Sequence, residues 1–269
     1  MLARVRTRFA PTPSGYLHAG NLVNATLCSW LAQQAAGQLA LRIDDDDRAR
    51  YRPQYAQHIF QSLSSLGIDW QIGPPSLDEY LQCDLRIRHR YLRHQLSLLP
   101  SELTFSCTCT RTMLVERACT CREDQLEQVD GQTVLRVFVP DDLVITVGDE
   151  PIEVKAQLGD FVVWRRDDIP AYHWANVIDD RDLGVTHVVR GRDLISASAA
   201  HIYLARLIGA QNVAEAIYLH HELISGADGR KLSKSQLTEQ GPLELDQRLI
   251  ARIRSMAREL GAPLGISPA

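Results

Sequence analysis

The opening stretch of the chain limits the possible folds more than any other. Val5 to Ala10 reads as a short strand. Pro11-Thr12-Pro13-Ser14-Gly15 then breaks it, because two prolines and a glycine continue neither a ladder nor a helix. Val23, Leu27, Trp30 and Leu31 follow at helical spacing, and Leu39 to Ile43 is an apolar run short enough for a buried strand. Tyr55, Ile59, Leu63 and Leu66 mark a second helix closed by Gly67. Leu85, Leu92, Leu96 and Leu99 mark a third, closed by Pro100. Strand, helix, strand, helix in this order predicts parallel strands joined by right-handed crossovers.

The pattern changes between about Phe105 and Arg166, where Val134 to Val139, Leu143 to Val147 and Phe161 to Trp164 read as short strands separated by turns. Thr186 to Arg190 and Ile217 to Leu219 resume the parallel style, with a helix around His201 to Ile208 between them. Leu249, Ile253, Met256 and Leu260 predict a last helix, after which Gly261 to Ala269 is expected to fray. The expectation is an α/β core in two halves, residues 1–100 and 167–240. An inserted subdomain at 101–166 separates them, and a helical tail follows at 241–269. At 269 residues, 45% hydrophobic and 23% charged, the chain can bury a large core, which excludes disorder and coiled coil. A net charge of −4 excludes an evenly basic surface but not a local basic face. No apolar run approaches the ~20 residues of a bilayer span, and Met1-Leu2-Ala3-Arg4 leads into a strand instead of a secretory signal. A cytoplasmic location is therefore expected.

Two segments carry phosphate chemistry. In the first, the Pro/Gly loop runs through Tyr16-Leu17-His18-Ala19-Gly20-Asn21 into a helix start, where backbone N–H groups and the helix dipole suit a polyphosphate. Gly20 allows close approach to the backbone, and His18 can donate to a phosphate oxygen. The second is Gly226 to Ser235, with Lys231-Leu232-Ser233-Lys234-Ser235. The chain has three lysines against 26 arginines, and two of the three lie here. Lysine supplies a compact charge with a long reach, suited to a phosphate whose geometry changes during reaction.

Together the segments resemble the HIGH and KMSKS signatures of class I aminoacyl-tRNA synthetases, with Asn21 replacing the last histidine of HIGH. Arg8-Phe9-Ala10-Pro11, Arg42-Ile43-Asp44-Asp45, Tyr172-His173-Trp174-Ala175-Asn176 and Gly184-Val185-Thr186-His187-Val188-Val189-Arg190-Gly191 narrow the resemblance to the glutamyl group, collinear from Arg8 to Ser235. It implies a Rossmann-like parallel sheet core with a small inserted subdomain. The ATP site would include His18, Gly20, Asn21, Lys231, Ser233 and Lys234, with His18, Lys231 and Lys234 stabilising the leaving pyrophosphate alongside Mg²⁺. The amino acid would meet Arg8, Thr12, Asp44, Tyr172, Asn176 and Arg190. Arginines suit a side-chain carboxylate and reject an amide, and Asp44 would face the ammonium one methylene short of the family's usual glutamate.

Cys107-Thr108-Cys109 and Cys119-Thr120-Cys121 place four thiols within fifteen residues, a pattern that points to zinc in a reducing compartment. Relatives that activate glutamate without tRNA carry zinc in this region on Cys-x-Cys, a tyrosine and a third cysteine. Here no tyrosine intervenes, and either Cys119 or Cys121 could be that third ligand. Cys28 and Cys83 are expected in the core. Only 34 residues follow Ser235, too few for a domain that reads an anticodon. The resemblance is therefore to a truncated paralogue that loads glutamate onto the queuosine base of tRNA(Asp), here expected to be a monomer. Arg86, Arg88, Arg90, Arg93, Arg165 and Arg166 could form a local tRNA face, the alternative being ordinary solvated helix surface. The rival readings are a stand-alone activator of an acidic amino acid with a non-tRNA acceptor, and an inactive tRNA-binding or regulatory paralogue.

Overall fold

The computed structural model describes residues 4–46, 49–224 and 241–268. In chain order the strands are β1 (Arg6–Phe9), β2 (Gln38–Leu41), β3 (Thr104–Cys107), β4 (Val134–Val137), β5 (Val144–Val147), β6 (Glu150–Glu153), β7 (Phe161–Trp164), β8 (His187–Gly191) and β9 (Ile217–His221). The helices are α1 (Ala19–Gln34), α2 (Pro53–Leu66), α3 (Leu77–Gln82), α4 (Leu85–His94), α5 (Arg111–Glu116), α6 (Val154–Leu158), α7 (Tyr172–Asp182), α8 (Ile195–Leu207), α9 (Gln211–Ala214) and α10 (Gln247–Gly261). By contacts the chain forms two compact units: residues 1–83, 183–195 and 216–269, and residues 84–182 and 196–215. These boundaries differ from the halves, insert and tail that the sequence pattern predicts, since α4 and α7 join the inserted strands.

In the first unit β1 pairs with β2 in parallel, Arg6 opposite Gln38 and Phe9 opposite Leu41. β8 pairs with β9 in parallel, Arg190 opposite His220. The pairs meet where Thr186 N donates to Arg6 O at 2.9 Å and Arg6 N donates to Thr186 Oγ1 at 2.9 Å. β1 and β8 thus lie side by side, so that the two separate two-stranded sheets follow one another as β2–β1 and β8–β9. Leu22, Val23, Ala25, Leu27 and Cys28 bury α1 along most of its length, as a crossover helix requires. Burial of Cys28 pushes its thiol up to about 12, so it is an inert core group. α2 ends as its sequence predicts, with Gly67 at φ +65 and its N–H returned to the last turn.

Residues 261–268 do not fray. Ile253, Ala257 and Ile266 are buried in the same core, and Ser267 N donates to Gln34 Oε1 at 3.2 Å. The stretch after Gly261 is short and broken by Pro263 and Gly265, so it has no periodicity from which this anchoring could be read. Cys83 is exposed, not core, because it lies just past the short helix α3. The third predicted helix stops at His94 and continues as a 3₁₀ turn over Gln95–Leu98.

The second unit holds an antiparallel sheet in the order β3–β4–β7 and the hairpin β5–β6, whose two-residue turn starts at Gly148 with φ +60. The strands expected from sequence are present. β3 and β6 give no clear signal there, being short and mixed in polarity. Trp174 of α7 is fully buried and its indole donates to Leu92 O of α4 at 2.9 Å. No helix among the described residues is long and apolar enough to cross a membrane.

Candidate nucleotide and amino-acid site

The loops leaving β1 and β2 run side by side. Arg42 N donates to Phe9 O at 3.0 Å, and Asp44 N donates to Pro11 O at 3.0 Å. Arg8, Thr12 and Asp44 therefore gather near the carboxyl ends of β1 and β2, and Arg190 lies near the end of β8. Between β1 and β8 the order reverses, β1 leading to β2 on one side and β8 to β9 on the other. Open parallel sheets bind ligands outside the strand ends at such a reversal.

Arg8 and Arg190 are each only 4% exposed, so their guanidinium groups are held by the fold rather than swept through solvent. Arg190 lies over the Tyr218 ring at 5.5 Å. Beside it, burial first and then the charges of Arg190 and Arg192 push His220 down to about 4. That histidine is neutral at neutral pH and adds no second positive charge beside the Arg190 guanidinium. Asp44 is gripped by Arg42 through two bonds, Nε to Oδ1 at 2.6 Å and Nη2 to Oδ2 at 3.0 Å. Its neighbour Asp45, to which the sequence assigns no role, is buried and accepts from the Tyr80 hydroxyl at 2.8 Å. Asp46 lies well before α2, which begins only at Pro53, and Asp47 lies outside the described residues.

His18 caps α1. Its Nδ1 accepts from Asn21 N at 3.4 Å while its own N–H donates to Asn21 Oδ1 at 3.1 Å. This reciprocal cap gives Asn21 a structural reason to stand where HIGH has histidine. Since Nδ1 is an acceptor, the neutral ring carries its proton on Nε2 and can donate it to a phosphate oxygen. A Cβ on Gly20 would fall 2.9 Å from His18 Cε1, so glycine here makes room for the ring itself.

His58 of α2 escapes a sequence reading, because it lies inside an ordinary apolar face. It is 6% exposed, and its Nδ1 accepts from Leu17 N at 3.2 Å, one residue before His18. Its Nε2 lies 3.4 Å from Ser62 Oγ, and the ring also faces the backbone of Leu243. Burial lowers its pKa, which preserves the acceptor nitrogen.

Tyr172 and Asn176 belong to the second unit. Tyr172 is exposed, its ring edge-on to His173 at 5.3 Å, while Asn176 is buried and donates to Tyr172 O at 3.1 Å. Lys231, Ser233 and Lys234 lie outside the described residues.

The four thiols converge. Cys107 and Cys119 Sγ are 3.7 Å apart, Cys109 and Cys119 3.9 Å, Cys109 and Cys121 3.6 Å, and all four lie within 4.8 Å of one another. Sulfurs around a tetrahedral zinc at about 2.3 Å are separated by about 3.8 Å, so the donor set fits that ion. Cys109 N donates to Cys107 Sγ at 3.3 Å, which orients that sulfur within the cluster.

The basic face expected on α4 and the Arg165-Arg166 pair is largely neutralised. Arg86 pairs with Asp84, Arg88 with Asp179 at 2.5 Å, Arg93 with Asp130 and Asp168, and Arg165 with Asp167 at 2.6 Å. The carboxylates come from α7 and from loops distant in sequence as well as from neighbours, so spacing along α4 could not reveal most of them.

Two adjacent parallel strand pairs with an order reversal between them, buried arginines near the strand ends and a histidine-capped crossover helix define an α/β protein of the Rossmann type. The model of tRNA synthetases class I (E and Q), catalytic domain, matches residues 4–241, and the chain belongs to that family. A glutamyl-Q tRNA(Asp) synthetase of Pseudomonas entomophila is 34% identical over 97% of this chain and 88% of its own length. That of Symbiobacterium thermophilum is 37% identical over 84% and 77%. The glutamate–tRNA ligase 1 of Alkalilimnicola ehrlichii is 32% identical over 87% of this chain, which spans only 51% of that ligase. Among solved structures, the glutamate-tRNA synthetase of Elizabethkingia anophelis superposes with a TM-score of 0.69 at 26% identity, covering 89% of this chain and 54% of the other.

Proposed function

We propose that this chain activates glutamate with ATP in the absence of tRNA and transfers the glutamyl group to the queuosine base of tRNA(Asp). The observation that carries the reading is the pair of buried guanidinium groups, Arg8 and Arg190, near the strand ends where the order reverses. They would hold the side-chain carboxylate of an acidic amino acid, and Asp44, oriented by Arg42, would receive its ammonium. Tyr172 and Asn176 are proposed to add a phenol and an amide to substrate recognition.

The α-carboxylate oxygen attacks the α-phosphorus of ATP in line, the bond from that phosphorus to the bridging oxygen breaks, and pyrophosphate leaves. The carboxylate is already a nucleophile, so no general base is needed, and catalysis consists of positioning and charge stabilisation. His18 Nε2–H, held by the Asn21 cap, donates to a phosphate oxygen. Lys231 and Lys234 are assigned to the leaving pyrophosphate. Mg²⁺ supplies further charge neutralisation when bound with the nucleotide. Cys107, Cys109, Cys119 and Cys121 are proposed to hold a structural zinc that fixes the loops after β3.

The acceptor assignment is supported by relatives named glutamyl-Q tRNA(Asp) synthetases, of which the chain spans 88% and 77%, against about half of the ligases. Charging queuosine-containing and queuosine-free tRNA with labelled glutamate tests it. Label on the former alone is expected. Label on neither, with adenylate still formed, would favour a stand-alone activator.

A further inference from the structure

Helix α10 carries Arg248, Arg252, Arg254 and Arg258, all exposed. None of the four takes part in an ion pair among the described residues, in contrast to the compensated arginines of α4. Only Arg258, in the last turn, is favoured by the helix dipole; the placement of the others is locally unfavourable. Arg248 and Arg252, and Arg254 and Arg258, are like charges one helical turn apart, and Arg248 stands in the first turn, against the positive end of the dipole. Arg254 and Arg258 also line a cleft of about 210 Å³ with Thr26, Ser29, Trp30 and Gln33. The remainder of α10 is committed to the core: Ile253 and Ala257 are buried, and Leu249, Ile250, Met256 and Leu260 pack on the same cluster. A lipid surface would need apolar side chains that this helix does not offer. What it offers is two pairs of forked donors with no ion-pair partner among the described residues, which fits the phosphates of a polynucleotide backbone.

We propose that the exposed face of α10, with the Arg254–Arg258 cleft, is the docking surface for the phosphate backbone of an RNA. The proposal rests on the reading of this chain as an RNA-aminoacylating enzyme and gives that reading a surface. Arg254 also donates to Leu66 O at 3.2 Å, capping α2, so it is left intact in the test. The full chain carrying Arg248→Ala, Arg252→Ala and Arg258→Ala is compared with the unaltered chain in two assays. One is glutamate-dependent ATP–pyrophosphate exchange without RNA. The other is binding of unfractionated tRNA between about 50 and about 200 mM salt.

Exchange should stay within about two-fold of the unaltered chain. RNA affinity should fall about ten-fold or more, and the dependence of log K on log salt should flatten by about 2 to 3. The triple lysine variant, which keeps the charge, should retain most of the slope. Unchanged affinity and slope in the alanine variant would overturn the proposal. So would loss of binding to poly-L-glutamate with no loss of tRNA binding, which would mark the face as one for acidic proteins. Absence of exchange in the unaltered chain would instead count against the proposed activation chemistry, and the RNA-binding readout would still stand or fall by itself.

Discussion

His220 gives the pH dependence of stability a calculable component. In the folded chain its ring is pushed down to about 4, by burial and by Arg190 and Arg192, while an unfolded histidine titrates near about 6.5. Its folded value is depressed, so the stability it represents is complete above about pH 6.5. Below that, the unfolded chain takes a proton that the folded chain refuses, and stability falls as pH falls until it levels off near the folded value. Between pH 7.5 and 5.0 the difference is about 2 kcal/mol, and about 1 kcal/mol after allowing for solvent screening of a half-buried ring. His58, His187 and His221 are shifted in the same direction by burial and add to the acid sensitivity. Urea unfolding at the two pH values, with and without His220→Asn, reads the share of this one ring. The unaltered chain should lose about 1 kcal/mol more than the variant on acidification. Equal losses would refute the argument that Arg190 and its surroundings keep His220 neutral.

Other outcomes follow from the same geometry. Zinc bound to the four cysteines should give an absorption-edge scattering distance of about 2.3 Å to sulfur, and Cys109→Ser should lower zinc content and melting temperature together; protein purified under reducing conditions with no zinc would remove the site. His58→Leu leaves the buried N–H of Leu17 without its acceptor, a cost of about 1–3 kcal/mol that should appear as a lower melting temperature and slower pyrophosphate exchange. A variant with unaltered exchange would separate His58 from the positioning of His18. Asp44→Asn should raise the KM for glutamate by about ten-fold or more with a smaller change in kcat, since a charge-assisted bond to the ammonium is worth about 1.5–3 kcal/mol; an unchanged KM would place Asp44 outside the substrate contacts.

Much of the fold was legible because local physics and tertiary structure agree where Pro11, Pro13 and Gly15 end β1 and where Gly67 ends α2. The convergence of the thiols was legible for a similar reason, since two Cys-x-Cys pairs in a short segment can meet without long-range help. What sequence did not disclose depends on partners far away along the chain. The α4 arginines looked free until Asp179, Asp130 and Asp168 were placed beside them. Ile266 looked like a tail residue until its core was assembled. His58 looked like any polar residue on a helix, and only its bond to Leu17 N ties it to the His18 loop. Asn21 and Gly20 read as nucleotide contacts in the sequence, whereas their visible work is to cap α1 and to seat the His18 ring.

The most direct test of the account is glutamate-dependent exchange of labelled pyrophosphate into ATP by RNA-free protein. Exchange with glutamate, little with glutamine, and loss of activity in Lys234→Ala with the fold retained are the predicted results. No exchange at saturating glutamate and ATP, or full exchange in the Lys234→Ala chain, would contradict it.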